Sequence, residues 1–387
     1  MSESSLRIIV TGLIAQFPLG GMTWDFLQYV LGLHRLGHDV WYVEDTGQFP
    51  YHPIEEGLAR DPAFNVAYLA RAFERFGLEG RWAYRFPWED RWFGLPEARR
   101  AEVVRTADLL INVSGTLERP ADYRAARRMA YIDTDPVFTQ VKLARGQQDF
   151  AKLIDVHDVR FSFGERLPGT APDTGHEWVP TRQPVVLDEW RPERPHRGRF
   201  TTVMTWASYN PVEFEGRAYG QKDVEFQRFL DLPARAAPAV LELAANKGKK
   251  RSLPIDLLRH KGWRVVDPLE VAADLDGYRD YLEGSMAEWS VAKHGYVAGR
   301  AGWFSGRSAC YLAAGRPVVV QDTGFQDVLP AGEGLLAFAT IDEAAAAIGD
   351  VTARYEVHAR AARAVAEEWF DARKILVRLV ERAMAAG

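Results

Sequence analysis

Residues 7–43 read RIIVTGLIAQFPLGGMTWDFLQYVLGLHRLGHDVWYV, and this stretch decides the fold. Arg7-Ile8-Ile9-Val10-Thr11 is a short β-like run suited to a buried strand. A loop of small and turn residues follows from Gly12 to Thr23, with Thr23 placed to cap a helix. Leu27, Val30, Leu31 and His34 then recur at helical spacing, and Gly37 stops the helix. Asp39-Val40-Trp41-Tyr42-Val43 supplies a second strand. Strand, helix and strand in this order predict a βαβ unit with a right-handed crossover, and a ligand position beyond the carboxyl ends of the strands.

Working outward, Leu109–Val113 and Met129–Asp133 read as later buried strands, with Val159–Phe163 the last of the first half. Between Trp178 and Arg199, Pro180, Pro184, Pro192 and Pro195 stand among charged residues, which favours an extended linker over a helix. The second half repeats the grammar without a visible sequence repeat: a strand from Phe200 to Trp206, a polar loop through Lys222, a helix from Asp223 to Leu230, and a strand at Arg264-Val265-Val266. Its clearest unit is a helix from Ser308 to Ala314, a stop at Gly315, and the strand Pro317–Gln321. From Ile341 onward the chain reads as helical, with Ile375, Leu376, Leu379 and Val380 on one face. The expected architecture is α/β, with two Rossmann-like domains, 1–190 and 191–387, facing a central cleft and a helical C-terminus.

Composition narrows the class. The 387 residues are 47% apolar and 26% charged, which fits a two-domain globular chain and excludes a disordered tail protein, a collagen and a disulfide scaffold. A net charge of -5 argues against broad electrostatic binding of nucleic acid. The basic run Lys247-Gly248-Lys249-Lys250-Arg251 has no interleaved aromatic and reads as a solvated loop. The single cysteine, Cys310, makes no internal disulfide or Cys-rich zinc site, so a reducing, cytoplasmic compartment is expected. Met1-Ser2-Glu3-Ser4-Ser5 has no basic leader and the early apolar run is broken by Gln16 and Pro18, so neither a signal peptide nor a membrane span of about 20 residues is expected. Oligomeric state is left open.

Gly37-His38-Asp39-Val40 after the first helix, together with Ala313-Ala314-Gly315-Arg316-Pro317-Val318-Val319, resembles the GT-B glycosyltransferase pattern, in which two Rossmann-like domains hold a nucleotide-sugar between them. The stretch from Glu288 to Gly324 is similar to a group of uncharacterised bacterial glycosyltransferase-like proteins. The resemblance implies metal-independent transfer of a sugar from a nucleotide-sugar to a small or medium acceptor, the donor being a co-substrate and no cofactor being needed. The chain also departs from the pattern. Many retaining enzymes of this fold carry a pair of glutamates, the second on the late helix where it grips the ribose, and the matching positions here are Gly302 and Cys310. Two other readings stay open: a sugar-nucleotide epimerase or hydrolase of the same fold, and a catalytically silent nucleotide-sugar-binding protein.

Ser305-Gly306-Arg307-Ser308 precedes a helix, whose free N–H groups and dipole end of about +0.5 charge suit a phosphate. Arg307 adds a bidentate donor; the plain alternative is Ser308 as a cap and Arg307 as a solvated side chain. Lys222 lies where the resemblance places a cation on the departing diphosphate, and Lys293 is a third candidate; positioned cations stabilise that leaving group as a metal would. Thr323-Gly324-Phe325 is a turn that in related folds points backbone amides at the sugar or phosphate, with Asp327 nearby. In the first half, Gly20-Gly21-Met22-Thr23 is a flexible counterpart, with Gly21 a candidate contact to sugar or acceptor.

Asp133-Thr134-Asp135 imitates a metal-binding Asp-x-Asp, but it ends a first-half strand and is read instead as facing the cleft, so that Asp133 or Asp135 takes a proton from an acceptor hydroxyl. The alternative is a strand-end cap ahead of Pro136. No Gly-x-Gly-x-x-Gly follows the first strand of either half and no Gly-x-Ser-x-Gly elbow is present, while His34 and His38 flank a helix stop and make no metal pair. Finally, of 12 tryptophans, Trp82, Trp88 and Trp92 fall with Tyr84, Phe86 and Phe93 in an Arg-rich stretch where no core strand is expected. Residues 81–93 are read as shaping the acceptor side of the cleft, against the alternative of packing within an inserted subdomain.

Overall fold

The computed structural model describes residues 5–246 and 251–385; Lys247 to Lys250 of the basic run lie outside the described residues. Strands β1 (Arg7–Thr11), β2 (Asp39–Glu44), β3 (Trp82–Phe86), β4 (Arg91–Gly94), β5 (Leu109–Val113), β6 (Met129–Asp133), β7 (Val159–Ser162) and β8 (Val179–Pro180) form one sheet in the order β8-β7-β6-β5-β1-β2-β3-β4. It is parallel except for the β3–β4 pair at its edge. Strands β9 (Arg199–Thr205), β10 (Val240–Asn246), β11 (Arg264–Val266), β12 (Ala287–Ser290), β13 (Val318–Gln321) and β14 (Leu335–Phe338) form a second, wholly parallel sheet in the order β11-β10-β9-β12-β13-β14. In each sheet the first strand lies inside, flanked by strands that come later on both sides. That arrangement opens a crevice at its carboxyl end.

The central strands are buried at nearly every position because helices cover both faces of a parallel sheet. The five helices that matter for the site are α1 (Gly20–Arg35), α2 (Leu275–Glu283), α3 (His294–Gly299), α4 (Gly306–Ala313) and α5 (Ala372–Ala385). α1 begins earlier than the sequence suggested. Leu19 is its N-cap, and Thr23 lies inside the first turn with its hydroxyl donating back to the Leu19 carbonyl at 2.9 Å. Gly20 opens the helix because the backbone of α2 comes too close for a side chain: a Cβ there would sit 2.0 Å from the Asp274 carbonyl oxygen. No helix among the described residues is long and apolar enough to cross a membrane.

Three local expectations are corrected. The aromatic segment contains a core strand after all, since β3 is buried throughout and pairs with β2 and β4, so Trp82, Tyr84 and Phe86 are packing residues. Alternation failed as a signal there because β3 is covered on both faces. The loop after β9 carries a hairpin, Val212–Phe214 against Arg217–Tyr219. The helix expected from Asp223 to Leu230 is a short one, Lys222–Phe226, followed by a 3₁₀ turn at Gln227–Phe229.

The proline-rich connection is fixed rather than loose. The carboxylate of Glu283, fully buried, accepts from the Arg191 backbone N–H at 3.0 Å and from its guanidinium Nη2 at 2.7 Å. At the far end, α5 crosses back onto α1. Gly32 faces Leu376 so closely that a Cβ would lie 2.4 Å from the leucine Cδ1, and Ile375, Leu376, Leu379 and Val380 are all buried. Leu376→Ala should therefore lower stability by about 2–5 kcal/mol in chemical denaturation, the range for deleting a fully buried leucine side chain. A change below about 0.5 kcal/mol would mean that α5 is not anchored through this face.

Candidate active site

The carboxyl ends of the two sheets face each other, and contacts across the gap come from both. Trp303 Nε1 donates to the Thr134 carbonyl at 3.3 Å, and Lys293 Nζ donates to Asp135 Oδ1 at 2.7 Å. On the second-half wall, α4 starts after Ser305, which is extended and makes no side-chain cap bond. Arg307, in the first turn, donates from Nε to Glu288 Oε1 at 2.7 Å and from Nη1 to the Val203 carbonyl at 2.9 Å. Those two bonds fix the guanidinium and leave Nη2 unused by either. Glu288 and Ser308 are buried, yet Glu288 Oε2 and Ser308 Oγ have no hydrogen-bond partner. Each such orphan costs about 1–3 kcal/mol, so the wall retains unmet polar capacity.

Lys222 opens the short helix beyond the hairpin and makes no hydrogen bond or ion pair among the described residues. Burial, reinforced by repulsion from Arg307 and Lys293, holds its pKa well below that of an ordinary lysine. Ser305, Arg307, Ser308, Thr323 and Phe325 line a small cavity with Ser290; its free volume of about 10 Å³ holds a single water. Thr323 donates to the Trp303 carbonyl, Gly324 adopts φ +89° with its N–H on Asp322 at 2.8 Å, and Phe325 packs edge-on to Phe304. Asp327 pairs with Arg166 at 2.6 Å.

Lys293 is placed differently from Lys222. Its ammonium donates to Asp135 Oδ1 at 2.7 Å and lies 5.1–5.2 Å from the ring centroids of Phe138, Tyr209 and Tyr296. Tyr209 donates to Asp135 Oδ2 at 2.8 Å and Tyr296 to Oδ1, so three groups of the second half hold one carboxylate of the first. Burial alone would raise the Asp135 pKa, but Lys293 and the two phenols together bring it below the usual carboxylate value. Asp133 accepts from Thr139 Oγ1 at 2.7 Å, Gln140 Nε2 at 3.1 Å, Ser162 Oγ at 3.0 Å and the Asp135 N–H at 3.1 Å. Burial nonetheless raises its pKa to about 6. Both carboxylates expected to take a proton are thus committed to holding the wall of the cleft.

The residue missed in the sequence is Asp25, in the second turn of α1. Its carboxylate is half-buried, accepts no hydrogen bond and forms no ion pair among the described residues. It reaches α4: a Cβ on Gly306 would lie 3.1 Å from Asp25 Oδ1. Burial pushes its pKa to about 7, with Arg307 opposing. A lone acidic residue on an amphipathic helix ordinarily reads as part of its solvated face, which is why it did not stand out. Gly21, one turn earlier, lies against the ring of Tyr278, where a Cβ would be 3.1 Å from Cε2. Of the two positions where the resemblance leads one to expect glutamates, Gly302 is a left-handed turn (φ +79°) against Arg166, and Cys310 is buried with its Sγ accepting from Gln28 Nε2 at 3.5 Å. At the rim of the first sheet, Trp88 is 46% exposed and stacks on Phe49 at 3.8 Å, its Nε1 donating to the Ala59 carbonyl at 3.1 Å.

No protein-family model matches the sequence. Four curated proteins match over a short stretch; among them the phosphoribosylamine–glycine ligase of Halalkalibacterium halodurans is 27% identical over 121 residues, 31% of this chain and 27% of the relative. The ligase of the same name from Xylella fastidiosa is 31% identical over 120 residues, 30% of this chain and 26% of the relative. The chain thus spans about a quarter of the length of these relatives. Solved structures match over nearly everything. Anabaena HepE in complex with UDP-glucose aligns with TM-score 0.57 and 13% identity, covering 97% of this chain and 99% of that one. AviGT4, a glycosyltransferase involved in avilamycin A biosynthesis, aligns at 0.53 and 14%, covering 98% and 97%. The sucrose-phosphate synthase of Thermosynechococcus elongatus aligns at 0.52 and 12%, covering 98% and 100%. The chain has the fold of the GT-B glycosyltransferases.

A carboxyl group whose folded pKa is raised from 3.8 to about 7 loses stability as the pH climbs from the lower value to the higher, because the unfolded chain ionises first, and the loss is complete above about pH 7. Asp25→Asn should accordingly stabilise the ligand-free protein, by about 1–2 kcal/mol at pH 8 and by less at pH 5. Thermal unfolding at the two pH values checks this; equal effects would mean that Asp25 does not carry the shift.

Proposed function

We propose that the chain transfers a sugar from a nucleotide-sugar donor to a small or medium acceptor, with the donor bound on the 191–387 side and the acceptor on the 1–190 side. The observation that carries this reading is the pair of cations on the second-half wall: Arg307 with an uncommitted Nη2 at the start of α4, and Lys222 with no partner. Such groups meet the negative charge that grows on a nucleoside diphosphate as the bond to the sugar breaks. Helix N–H groups at Gly306–Ser308 add to them. In this reading the two side chains take the role a metal would have, the donor is a co-substrate, and the protein works in the cytoplasm. The structures of similar fold solved with UDP or UDP-glucose make uridine diphosphate the first ligand to try.

Calorimetry against a panel of nucleoside diphosphates tests the donor site. At least one should bind, and Arg307→Ala and Lys222→Ala should each weaken it about tenfold or more, the worth of a charged hydrogen bond. No binding, or binding indifferent to Arg307→Ala, would sink the reading. Because the Lys222 pKa is depressed, its ammonium is lost early as pH rises. Affinity in the wild type should therefore fall as the pH rises through that lowered pKa, and fall less in Lys222→Ala.

The exposed face of Trp88 supports a place for the acceptor at the rim of the first sheet. Trp88→Ala should raise acceptor KM several-fold and leave diphosphate affinity unchanged. A second reading, a silent nucleotide-sugar-binding protein, draws on Gly302 and Cys310; donor that stays intact beside diverse acceptors would favour it.

A further inference from the structure

Transfer of a sugar to a hydroxyl requires a group that removes the acceptor proton, and the cleft offers few free carboxylates. Asp133 accepts four hydrogen bonds, and Asp135 is held by Lys293, Tyr209 and Tyr296. Asp25 differs from both in having neither a hydrogen bond nor an ion pair among the described residues, while α1 still presents it to the start of α4. The groups that feel its charge are Arg307 across the gap, Tyr29 on its own helix, Tyr278 on α2 and Cys310 on α4. Burial raises the pKa of both phenols and of the thiol well above their ordinary values, so none of the three competes for the proton near neutral pH. With its own pKa at about 7, Asp25 is poised to accept and release a proton under those conditions.

Resting on the transfer reading above, we propose that Asp25 is the catalytic base and that the reaction inverts the configuration at the sugar's anomeric carbon. The acceptor O–H gives its proton to the Asp25 carboxylate as the oxygen forms a bond to C1. The bond from C1 to the diphosphate oxygen breaks, and its electron pair leaves with the nucleoside diphosphate toward Arg307 and Lys222. Asp25 comes from α1 and Arg307 and Lys222 from the second half, so base and cations are supplied by different elements of the cleft. A double displacement would need a nucleophilic side chain at the sugar. The two positions where the resemblance leads one to expect carboxylates hold Gly302 and the buried Cys310.

The test uses the full chain and α-linked UDP-, ADP-, GDP-, CDP- and dTDP-hexoses, with water, alkyl and aryl alcohols and free sugars as acceptors. Proton NMR at early times should show the β anomer as the first product. Asp25→Asn should lower kcat by about 100-fold or more while the nucleoside diphosphate Kd changes less than about threefold, as expected for loss of a general base. At saturating donor, wild-type kcat should rise as the pH climbs through about 7, and the residual activity of Asp25→Asn should lack that rise. Asp25→Ala, read by melting temperature beside activity, separates loss of the base from loss of the fold. An α anomer as first product, a kcat for Asp25→Asn within tenfold of wild type, or bound donor that is never turned over would each overturn the assignment of Asp25. Absence of any nucleoside diphosphate binding would overturn the transfer reading itself.

Discussion

Helix α1 is wedged between the two halves of the chain, and glycine is what allows it. At its first residue, Gly20 meets the Asp274 backbone that leads into α2 at a separation no side chain tolerates, and three turns later Gly32 meets the Leu376 side chain of α5. One face of α1 therefore rests on the second half and another on the returning C-terminal helix. Trp24, nearly fully buried, ties the contact by donating to the Leu275 carbonyl at 2.9 Å and tilting against Trp190. Backbone approach of this kind fixes the axial position of the helix more tightly than side-chain packing would, since no rotamer can absorb a shift. Asp25 stands where it does because α1 does.

Charge in the cleft follows a division of labour. Asp135 with Lys293, and Asp133 with its four donors, have their electrostatic needs met and act as fasteners between or within the halves. Asp25, Lys222, Glu288 Oε2 and Ser308 Oγ do not. A protein selected for stability alone would pair these groups or replace them with apolar ones. Leaving several unsatisfied groups around Arg307 stores free energy that a polar ligand releases on binding when it offers acceptors to the cations and donors to the carboxylates.

Much of this could be read from residues alone, and where it could not the reasons are physical. The β-like run at Arg7–Thr11, the stop at Gly37 and the second strand at Asp39 gave the first βαβ unit because local propensity and tertiary demand agree there. Arg307 and Lys222 were found through their positions at a helix start and after a strand. β3 was missed because a strand covered on both faces, written in Trp, Tyr and Arg, has no alternation to detect. Asp25 was missed because what singles it out is the absence of a partner, and partners such as Gln183 or Lys293 come from remote parts of the chain. The neutralisation of Asp135 spans 158 residues of sequence and leaves no local trace.

The narrow cavity beside Arg307 carries a kinetic consequence. With room for a single water and walls drawn from residues 290–325 alone, it admits a nucleotide only when those walls part. Ligand association thus includes an opening step set by the protein. The observed association rate then stops rising at high ligand concentration, as conformational gating demands.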